Sequence, residues 1–590
     1  MGSEEVLSQY MAGKEEKVET KHTEAETKEI LLNFDEKLPI IFITEEDENN
    51  KNNPKINLPA VKKFILERGH SVSSALRRLS FQSNSDDSEE DEKEKSKSKS
   101  NSTKRPPLIQ MNEDEEGEEM KGRITLFSRS SCRECRAVRS FFRERRLKFV
   151  EINIDVYPLR QAELQEKAGS LAVPQIFFNE QLFGGIVALN SLRNSGEFEK
   201  RLRSVVEKRC PASAPAVPVY GFDDDVEEET DDELLKMVKV LRHRMPIHDR
   251  FFNLRLLNNC FTGGDAVEIL IDELDCGRKK AVEIGKAIAR KNFFYHLSHE
   301  NEFEDGKHLY RFLEHDPVVS TKCFNFRGFT NDKEPKPAAL VAEKIRKIMT
   351  AILETFVSDD VCHVNYQGIR SSEEFRRYLN VVQDLQRVNV LALTKAERLA
   401  FFLNIYNSMV IHATIHKGYP DGILERKEFF NEFLYLIGGY PYSLSEIQNG
   451  ILRANQRAPY GLVKPFKNGD KRLQVALPKA NILTLFALCS GSKSSPILRF
   501  YSPEGVDAEL KSATKDFFRG DGIIIDIHKR TVYLSKLLKW YSADFGQESE
   551  MLNWIMNYLD AKKVGLLSHI LSNEGPVNVV YQNYDWSLNL

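Results

Sequence analysis

Cysteine is scarce in this sequence, with 8 residues in a chain of 590. Secreted scaffolds held together by disulfides need far more, and no Cys/His set repeats at zinc-finger spacing, so we expect neither that class nor a metal site. Long apolar runs are also absent, since no stretch reaches the roughly 18 consecutive apolar residues of a membrane span. The opening residues, MGSEEVLSQY, lack the basic and apolar parts of a signal peptide. We therefore expect a cytoplasmic protein, with any membrane association peripheral.

The net charge of −4 conceals an uneven distribution of charged residues. Residues 1–120 carry 28 acidic and 18 basic side chains, whereas residues 121–590 carry 60 acidic and 66 basic ones. Runs such as SNSDDSEEDEKEKSKSKSNS have almost nothing to bury, so residues 1–120 are predicted to be a disordered acidic arm rich in Ser, Lys and Glu. Within it, Ser80 follows the sequence RRL, a pattern typical of basophilic kinase sites, although a solvated tail is the simpler interpretation.

Two breaks in composition divide the remainder of the chain. Residues 209–232 are first rich in Pro and Ala and then acidic, and residues 317–337 contain the shorter break NDKEPKP. Both are predicted to be linkers. The predicted folded domains are residues 121–208, 233–316 and 338–590.

The motif C-x-x-C follows a short apolar run at residues 123–127, which predicts a strand, and it stands where the next helix begins. A helix N-terminus favours the thiolate form of Cys132, the first thiol. Nearby basic side chains favour it too: Arg129, Arg133 and Arg136. We expect Cys132 to attack a disulfide and Cys135 to resolve the mixed disulfide.

Three further strands are predicted in LKFVEINI, QIFFN and QLFGG, with a helix over residues 187–206. With the motif in front, residues 121–208 resemble a glutaredoxin, which implies an α/β thioredoxin-like fold and glutathione as cofactor. The resemblance implies these glutathione contacts: Arg129, Val173, Pro174, Gly184 and Gly185. The chain departs from the family pattern where Arg133-Glu134 replaces Pro-Tyr, and where Val187 or Ala188 stands at the acidic position after the Gly pair. Some relatives hold an iron–sulfur cluster between two subunits, and that alternative stays open.

Residues 233–316 predict three helices and a final pair of short strands. The sequences FTGGDAV and LYRF resemble a DEP domain, a winged-helix-like α+β unit named for Dishevelled, Egl-10 and pleckstrin. The resemblance implies docking to protein signalling partners or to an anionic membrane surface. Six basic side chains favour the membrane: Lys236, Lys239, Arg242, Arg244, Arg250 and Arg255. Residues 233–314 carry 14 basic and 13 acidic side chains, so we expect no nucleic acid as partner.

Residues 338–590 are dense in apolar and aromatic residues and predict a large, mostly helical α+β domain. The ordered motifs KAERLAFFLNIYN, ALCSGSKSSP and LLKWY resemble the domain of unknown function numbered 547, over about residues 390–545. The combination of these three domains in one chain resembles a group of plant proteins. Five polar residues of this region are of the types used by Cys-His-Asn hydrolases: Asn404, Asn407, His412, Cys489 and Ser490. A structural polar network is the alternative.

These observations lead to three hypotheses about function. The first is an intracellular signalling adaptor with a redox-responsive glutaredoxin-like domain and a DEP docking module. The second is a glutathione-linked thiol–disulfide oxidoreductase that its other domains position, and the third is a Cys/Ser-His hydrolase in the C-terminal domain. The sequence leaves open whether the C-x-x-C motif is catalytic, and it leaves the oligomeric state open.

Overall fold

The structure, a computed structural model, describes residues 121–590, except residues 220, 222–231, 253, 299–301, 331–332, 359–362, 460 and 573–574. The predicted acidic arm with Ser80, and the acidic half of the first predicted linker, lie outside the described residues. The described residues all belong to one structural unit.

The first domain is built on a four-stranded sheet. Its strands are β1 (Ile124–Ser128), β2 (Val150–Asn153), β3 (Gln175–Phe178) and β4 (Gln181–Gly184). They lie in the order β2-β1-β3-β4, with β1 parallel to β2 and the other pairs antiparallel. The helices are α1 (Arg133–Glu144), α2 (Arg160–Ala168), α3 (Ile186–Ser195) and α4 (Phe198–Glu207). The predicted α/β domain is confirmed, although the single helix predicted over residues 187–206 is divided at Gly196, whose φ is +74°.

Among its described residues, the second domain combines three helices with four short antiparallel strands. The helices are α5 (Glu233–Arg244), α6 (Gly263–Leu274) and α7 (Arg278–Arg290). The strands are β5 (His248–Phe252), β6 (Arg255–Thr262), β7 (Phe294–His296) and β8 (Leu309–Phe312), in the order β5-β6-β8-β7. Phe261, Phe294 and Phe312 pack together in its buried core. The predicted winged-helix-like α+β unit is confirmed.

The segment 317–337, predicted as a linker, is folded against the third domain in its described part. It begins with helix α8 (Pro317–Lys322). Asn325, only 1% exposed, donates to the carbonyls of Val382 and Leu436 at 3.0 and 2.9 Å and accepts the N–H of Leu436 at 2.7 Å. Buried hydrogen bonds of this kind fix the segment in place, so it does not act as a free tether.

The third domain is mostly helical. Its helices are α9 (Ala338–Phe356), α10 (Tyr366–Ser371), α11 (Glu373–Val381), α12 (Lys395–Lys417), α13 (Ile423–Glu432), α14 (Val506–Arg519), α15 (Lys536–Trp540), α16 (Glu548–Met556) and α17 (Ala561–Ser572). One sheet pairs β9 (Leu434–Ile437) with β10 (Tyr440–Ser443), and the other contains β11 (Ile523–Asp526), β12 (Thr531–Leu534) and β13 (Asn578–Tyr581). Helix α12 runs through the centre and is buried along most of its length.

The two faces of the first domain's sheet have different neighbours, because successive side chains of a strand alternate between the faces. Leu126 packs with Val138 and Phe142 of α1. Phe127, on the opposite face, belongs to a buried cluster that continues into the third domain, where it includes Ile345 of α9. The first and third domains therefore share a hydrophobic core.

Candidate thiol site

The first thiol of the motif stands at the N-terminus of α1. Cys132 is the N-cap residue, with φ −79° and ψ 120°, and its Sγ accepts the N–H of Cys135 at 3.5 Å. Cys132 is half-buried, whereas Cys135 is fully buried. The positive end of a helix stabilises a negative charge at its N-cap, so the geometry suits Cys132 as the nucleophile.

The second thiol is held in its neutral form. Burial is the main reason that the pKa of Cys135 rises to about 12, and the neighbouring Cys132 adds to this effect. Because the thiolate is the nucleophilic form, Cys135 reacts slowly in the resting protein.

Two of the three basic side chains that the sequence singles out near Cys132 have a carboxylate partner. Arg129 lies 3.5 Å from Asp155, and Arg136 lies 3.7 Å from Glu354. Arg133 is exposed, and no ion pair is seen for it in the described residues. Asp155 and Glu354 reduce the positive potential that the sequence alone predicts at Cys132.

Two loops predicted to contact glutathione meet closely. Gly184 has φ +114°, which favours glycine, and a Cβ on Gly185 would lie only 3.0 Å from the carbonyl oxygen of Pro174. The peptide bond between Val173 and Pro174 is cis. The Gly pair therefore allows β4 to pass directly beside the Pro174 loop. The first turn of α3 has no acidic residue, and its Val187 is 80% exposed.

The third domain hydrogen-bonds to the loop that carries Cys132, and the sequence did not predict this contact. The N–H of Ser130 donates to Asp155 at 3.2 Å, and the N–H of Ser131 donates to Oε1 of Glu354 at 3.0 Å. Glu354 lies in the last turn of α9, more than 200 residues further along the chain. The apolar periodicity of α9 reveals its core positions but gives no signal for this long-range contact.

Glu354 belongs to a buried charge cluster. Arg139, 2% exposed, binds both oxygens of Glu151 through Nε at 2.7 and 2.9 Å, and its Nη2 lies 3.1 Å from Glu354. Burial raises the pKa of Glu354, with a smaller contribution from Glu151, and these effects outweigh the opposing attraction of Arg139. The buried guanidinium of Arg139 therefore contacts the carboxylates of both Glu151 and Glu354.

The basic residues predicted to dock the second domain fall into two groups. Three of them form ion pairs within the domain: Arg242 with Glu314, Arg244 with Asp272 and Glu273, and Arg250 with Asp265. Three others are exposed: Lys236, Lys239 and Arg255. The sequence did not reveal that the hairpin of β5 and β6 displays apolar side chains, with Phe251 71%, Leu254 90% and Leu256 61% exposed.

Two asparagines of the third domain's polar cluster have structural partners. Asn404 bonds the carbonyl and the N–H of Tyr501 at 2.8 and 2.7 Å. Asn407 donates to the carbonyls of Ala487 and Arg499 at 3.0 and 2.9 Å and accepts the N–H of Cys489 at 3.0 Å. These amides attach the segments of Cys489 and Tyr501 to α12.

The other members of the cluster do not form a nucleophile–base pair. His412 Nδ1 lies 2.6 Å from Tyr435 Oη, and burial lowers the pKa of His412 to about 3, so it is a weak base. Cys489 Sγ lies 3.4 Å from Ser495 Oγ, and Ser490 Oγ lies 2.9 Å from Ser492 Oγ. Burial raises the pKa of Cys489. Among the described residues, no hydrogen bond joins His412 to Cys489 or Ser490, and the hydrolase hypothesis requires one.

Two features are absent from the described part of the chain. None of its helices has the length and apolar character needed to cross a bilayer. In the same residues, no group of three or more His, Cys, Asp or Glu side chains is arranged to hold a metal ion.

Three family models match the chain, each to one domain. The Glutaredoxin model matches residues 124–183. The model described as the domain found in Dishevelled, Egl-10, and Pleckstrin (DEP) matches residues 244–312, and the model for a protein of unknown function, DUF547, matches residues 390–518.

Known proteins resemble the first domain. Glutaredoxin-2 of Schizosaccharomyces pombe is 33% identical over 93 residues, which are 15% of this chain and 81% of the relative. A glutaredoxin of Pseudomonas aeruginosa is 32% identical over 79 residues, which are 13% of this chain and 94% of the relative. The crystal structure of a buckwheat glutaredoxin–glutathione complex matches 15% of this chain and 81% of its own, at 21% identity and a TM-score of 0.14.

The fold and the helix-capping cysteine define a thioredoxin-like thiol domain. Through this domain the chain belongs to the glutaredoxin family, and it carries a DEP domain and a DUF547 domain in addition.

Proposed function

We propose that this chain catalyses thiol–disulfide exchange on mixed disulfides of glutathione through Cys132, while its DEP domain docks it at an anionic membrane. The observation that carries the first part is the asymmetry of the two thiols. Cys132 is accessible and caps α1, whereas Cys135 is buried and neutral. An accessible thiol at a helix N-terminus suits attack on a disulfide.

The proposed exchange uses two glutathione molecules. The Cys132 thiolate attacks the glutathione sulfur of a mixed disulfide, the original S–S bond breaks, and the target protein leaves as a thiol after gaining a proton. A second glutathione thiolate then attacks the glutathione bound to Cys132, so that oxidised glutathione leaves and the Cys132 thiolate returns. The sequence predicts Cys135 as the resolving thiol, but Cys135 is buried and neutral at rest, so we propose external glutathione in that role instead.

The proposed glutathione contacts come from the family resemblance and suit the local geometry. Arg129, 48% exposed, supplies a positive charge beside the thiol loop. Gly185 is the N-cap of α3 and offers no side-chain cap, so the free N–H groups of that helix end suit a carboxylate of glutathione. Val173, Pro174 and Gly184 complete the proposed groove with main-chain atoms.

The test is turnover of a glutathione mixed disulfide by the full chain, coupled to glutathione reductase and NADPH. We expect Cys132→Ser to abolish turnover and Cys135→Ser to retain most of it. Cys210→Ser, which alters a half-buried thiol of the linker, is the control and should match the wild type. If the wild type shows no turnover, the enzymatic proposal is rejected, and the chain is better described as a signalling adaptor that senses redox state.

The exposed tip of the β5–β6 hairpin supports the docking proposal. Leu254 is 90% exposed, and the neighbouring Phe251 and Leu256 are also exposed, beside the exposed cation Arg255. Apolar side chains next to cations bind the interface of an anionic membrane weakly and reversibly. This pattern favours a membrane surface over a purely polar partner.

Sedimentation with phosphatidylserine vesicles tests the docking proposal. We expect Leu254→Ser to reduce the bound fraction several-fold. The control, Leu462→Ser, alters a residue that is 82% exposed in the third domain and should bind as the wild type does. Equal binding by the two variants would count against the hairpin as the docking element.

A further inference from the structure

The loop that carries the thiol is held by a helix of the third domain. The N–H of Ser131, directly before Cys132, donates to Glu354 at 3.0 Å, and Glu354 has only 7% of its side chain exposed. Ser130 Oγ donates to the carbonyl of Lys347, two turns earlier in α9, at 3.2 Å. Helix α9 therefore contacts both residues that precede the thiol.

The backbone of Ser131 is in a conformation that needs such support. Its φ is +63°, in the left-handed region, which is disfavoured for residues that carry a Cβ. Conformations of this kind persist where the surroundings fix them. The hydrogen bond to Glu354 fixes the N–H of this residue, so α9 helps to set the direction in which the chain enters α1 at Cys132.

Glu354 also changes the charge around the thiol loop. Its carboxylate lies 3.7 Å from Arg136 and 3.1 Å from Arg139, and Arg139 already binds Glu151. Without Glu354, the positive charge of Arg136 would act more strongly in favour of the Cys132 thiolate. The third domain thus adds a negative charge where the chemistry of the first domain favours a positive one.

The charged groups around this loop come from three parts of the fold. They are Arg129, Arg133, Glu134, Arg136 and Arg139 in and before α1, Glu151 and Asp155 in and after β2, and Lys347 and Glu354 in α9. Lys347 lies 3.8 Å from Asp155, which already accepts the N–H of Ser130. Within this set, Glu354 is the carboxylate that the third domain supplies.

We propose that Glu354 is a positioning residue through which the third domain restrains the reactivity of Cys132. Its carboxylate holds the Ser131 backbone, and its negative charge opposes thiolate formation at the next residue. Withdrawal of α9 would remove both effects together, so the state of the third domain is coupled to the thiol chemistry. This inference rests on the proposed function, in which Cys132 is the attacking thiol.

The experiment measures the rate at which iodoacetamide alkylates Cys132 in the full chain across a range of pH, read on the Cys132 peptide by mass spectrometry. Glu354→Gln keeps an oxygen acceptor for the Ser131 N–H and removes the charge. We expect it to raise the rate near neutral pH by roughly three- to tenfold and to move the pH–rate profile to lower pH. Glu354→Asp keeps the charge and should stay close to the wild type.

Glu374 provides a matched control. It is a half-buried carboxylate of α11 at the same domain interface, where it accepts a hydrogen bond from Tyr157 at 3.2 Å. Glu374→Gln should leave the alkylation rate of Cys132 within about twofold of the wild type. An equal rise in this variant would show general loosening of the interface and would overturn the role of Glu354.

Failure of this inference can be told apart from failure of the proposed function. If the wild type turns over glutathione mixed disulfides and Glu354→Gln alkylates at the wild-type rate throughout the pH range, only the restraint by Glu354 is rejected. If the wild type has no turnover, the proposed function is rejected by that assay, whatever the alkylation rates are.

Discussion

Cys132 Sγ accepts the main-chain N–H of Cys135 at 3.5 Å, while the thiol of Cys135 itself is buried in the core of the first domain. The second cysteine therefore supports the first through its backbone. The two thiols are only one helical turn apart, but Cys132 is half-buried and Cys135 is buried, so their reactivities should differ.

Alkylation of the native protein should separate the two thiols. Near neutral pH we expect iodoacetamide to modify Cys132 within minutes and to leave Cys135 unmodified, because burial raises the pKa of Cys135 to about 12. Peptide mass spectrometry before and after unfolding in urea measures this difference. Cys135 should become reactive in urea, where burial is lost, and equal labelling in the native protein would contradict the structure.

Val187→Asp should strengthen glutathione binding. The residue is 80% exposed in the first turn of α3, which has no acidic side chain, so the substitution costs little and adds a carboxylate where the family resemblance places one for the glutathione amine. An exposed charge pair contributes about 1 kcal/mol at most, so the Kd for glutathione should fall about three- to fivefold. Isothermal titration measures it, with Val217→Asp in the linker as control. An unchanged Kd would mean that glutathione lies elsewhere.

Asn407→Ala should destabilise the third domain by about 2–4 kcal/mol, because it leaves several buried main-chain groups without a partner. The side chain of Asn407 is fully buried and bonds Ala487, Arg499 and Cys489. The urea midpoint of the third domain measures the loss. Asn431→Ala, an exposed position on α13, should have almost no effect. A stable Asn407→Ala protein would remove the evidence for a structural role.

The difference in free energy of unfolding between the Glu354→Gln protein and the wild type should change with pH. Because the pKa of Glu354 is raised in the folded state, the folded chain takes up this proton first as the pH falls. The wild type is therefore stabilised as the pH falls through that pKa and loses this stability as the pH rises through it. The free energy of unfolding of the variant, relative to the wild type, should be highest near neutral pH and decrease toward acid. Urea titrations at several pH values measure it, and the exposed substitution Glu180→Gln should show no such trend.

Local sequence signals predicted the first domain well. The apolar run before Cys132 and the apolar spacing after it specify a strand and a helix, and both form where expected, as β1 and α1. The Gly pair and Pro174 are likewise local features, and their contact follows from the strand order. The break at Gly196 was missed because the apolar spacing continues across it, while only the backbone conformation changes.

Features that depend on tertiary contacts could not be predicted. The β5–β6 hairpin was missed because exposed Phe251 and Leu254 break the alternation of apolar and polar residues that identifies a half-buried strand. The pairing of Ser131 with Glu354 joins two domains, and nothing in the local pattern around either residue encodes it. For the same reason His412 could be assigned to a polar cluster, whereas its partner Tyr435 could not be foreseen.

The core shared between Phe127 of the first domain and Ile345 of α9 has a consequence for synthesis of the protein. The ribosome completes the first domain well before it makes α9. At about 5–20 residues per second, this interval lasts roughly 7 to 30 s. Throughout it, part of an apolar sheet face has no partner, so a chaperone that shields the nascent first domain should increase the yield of folded protein.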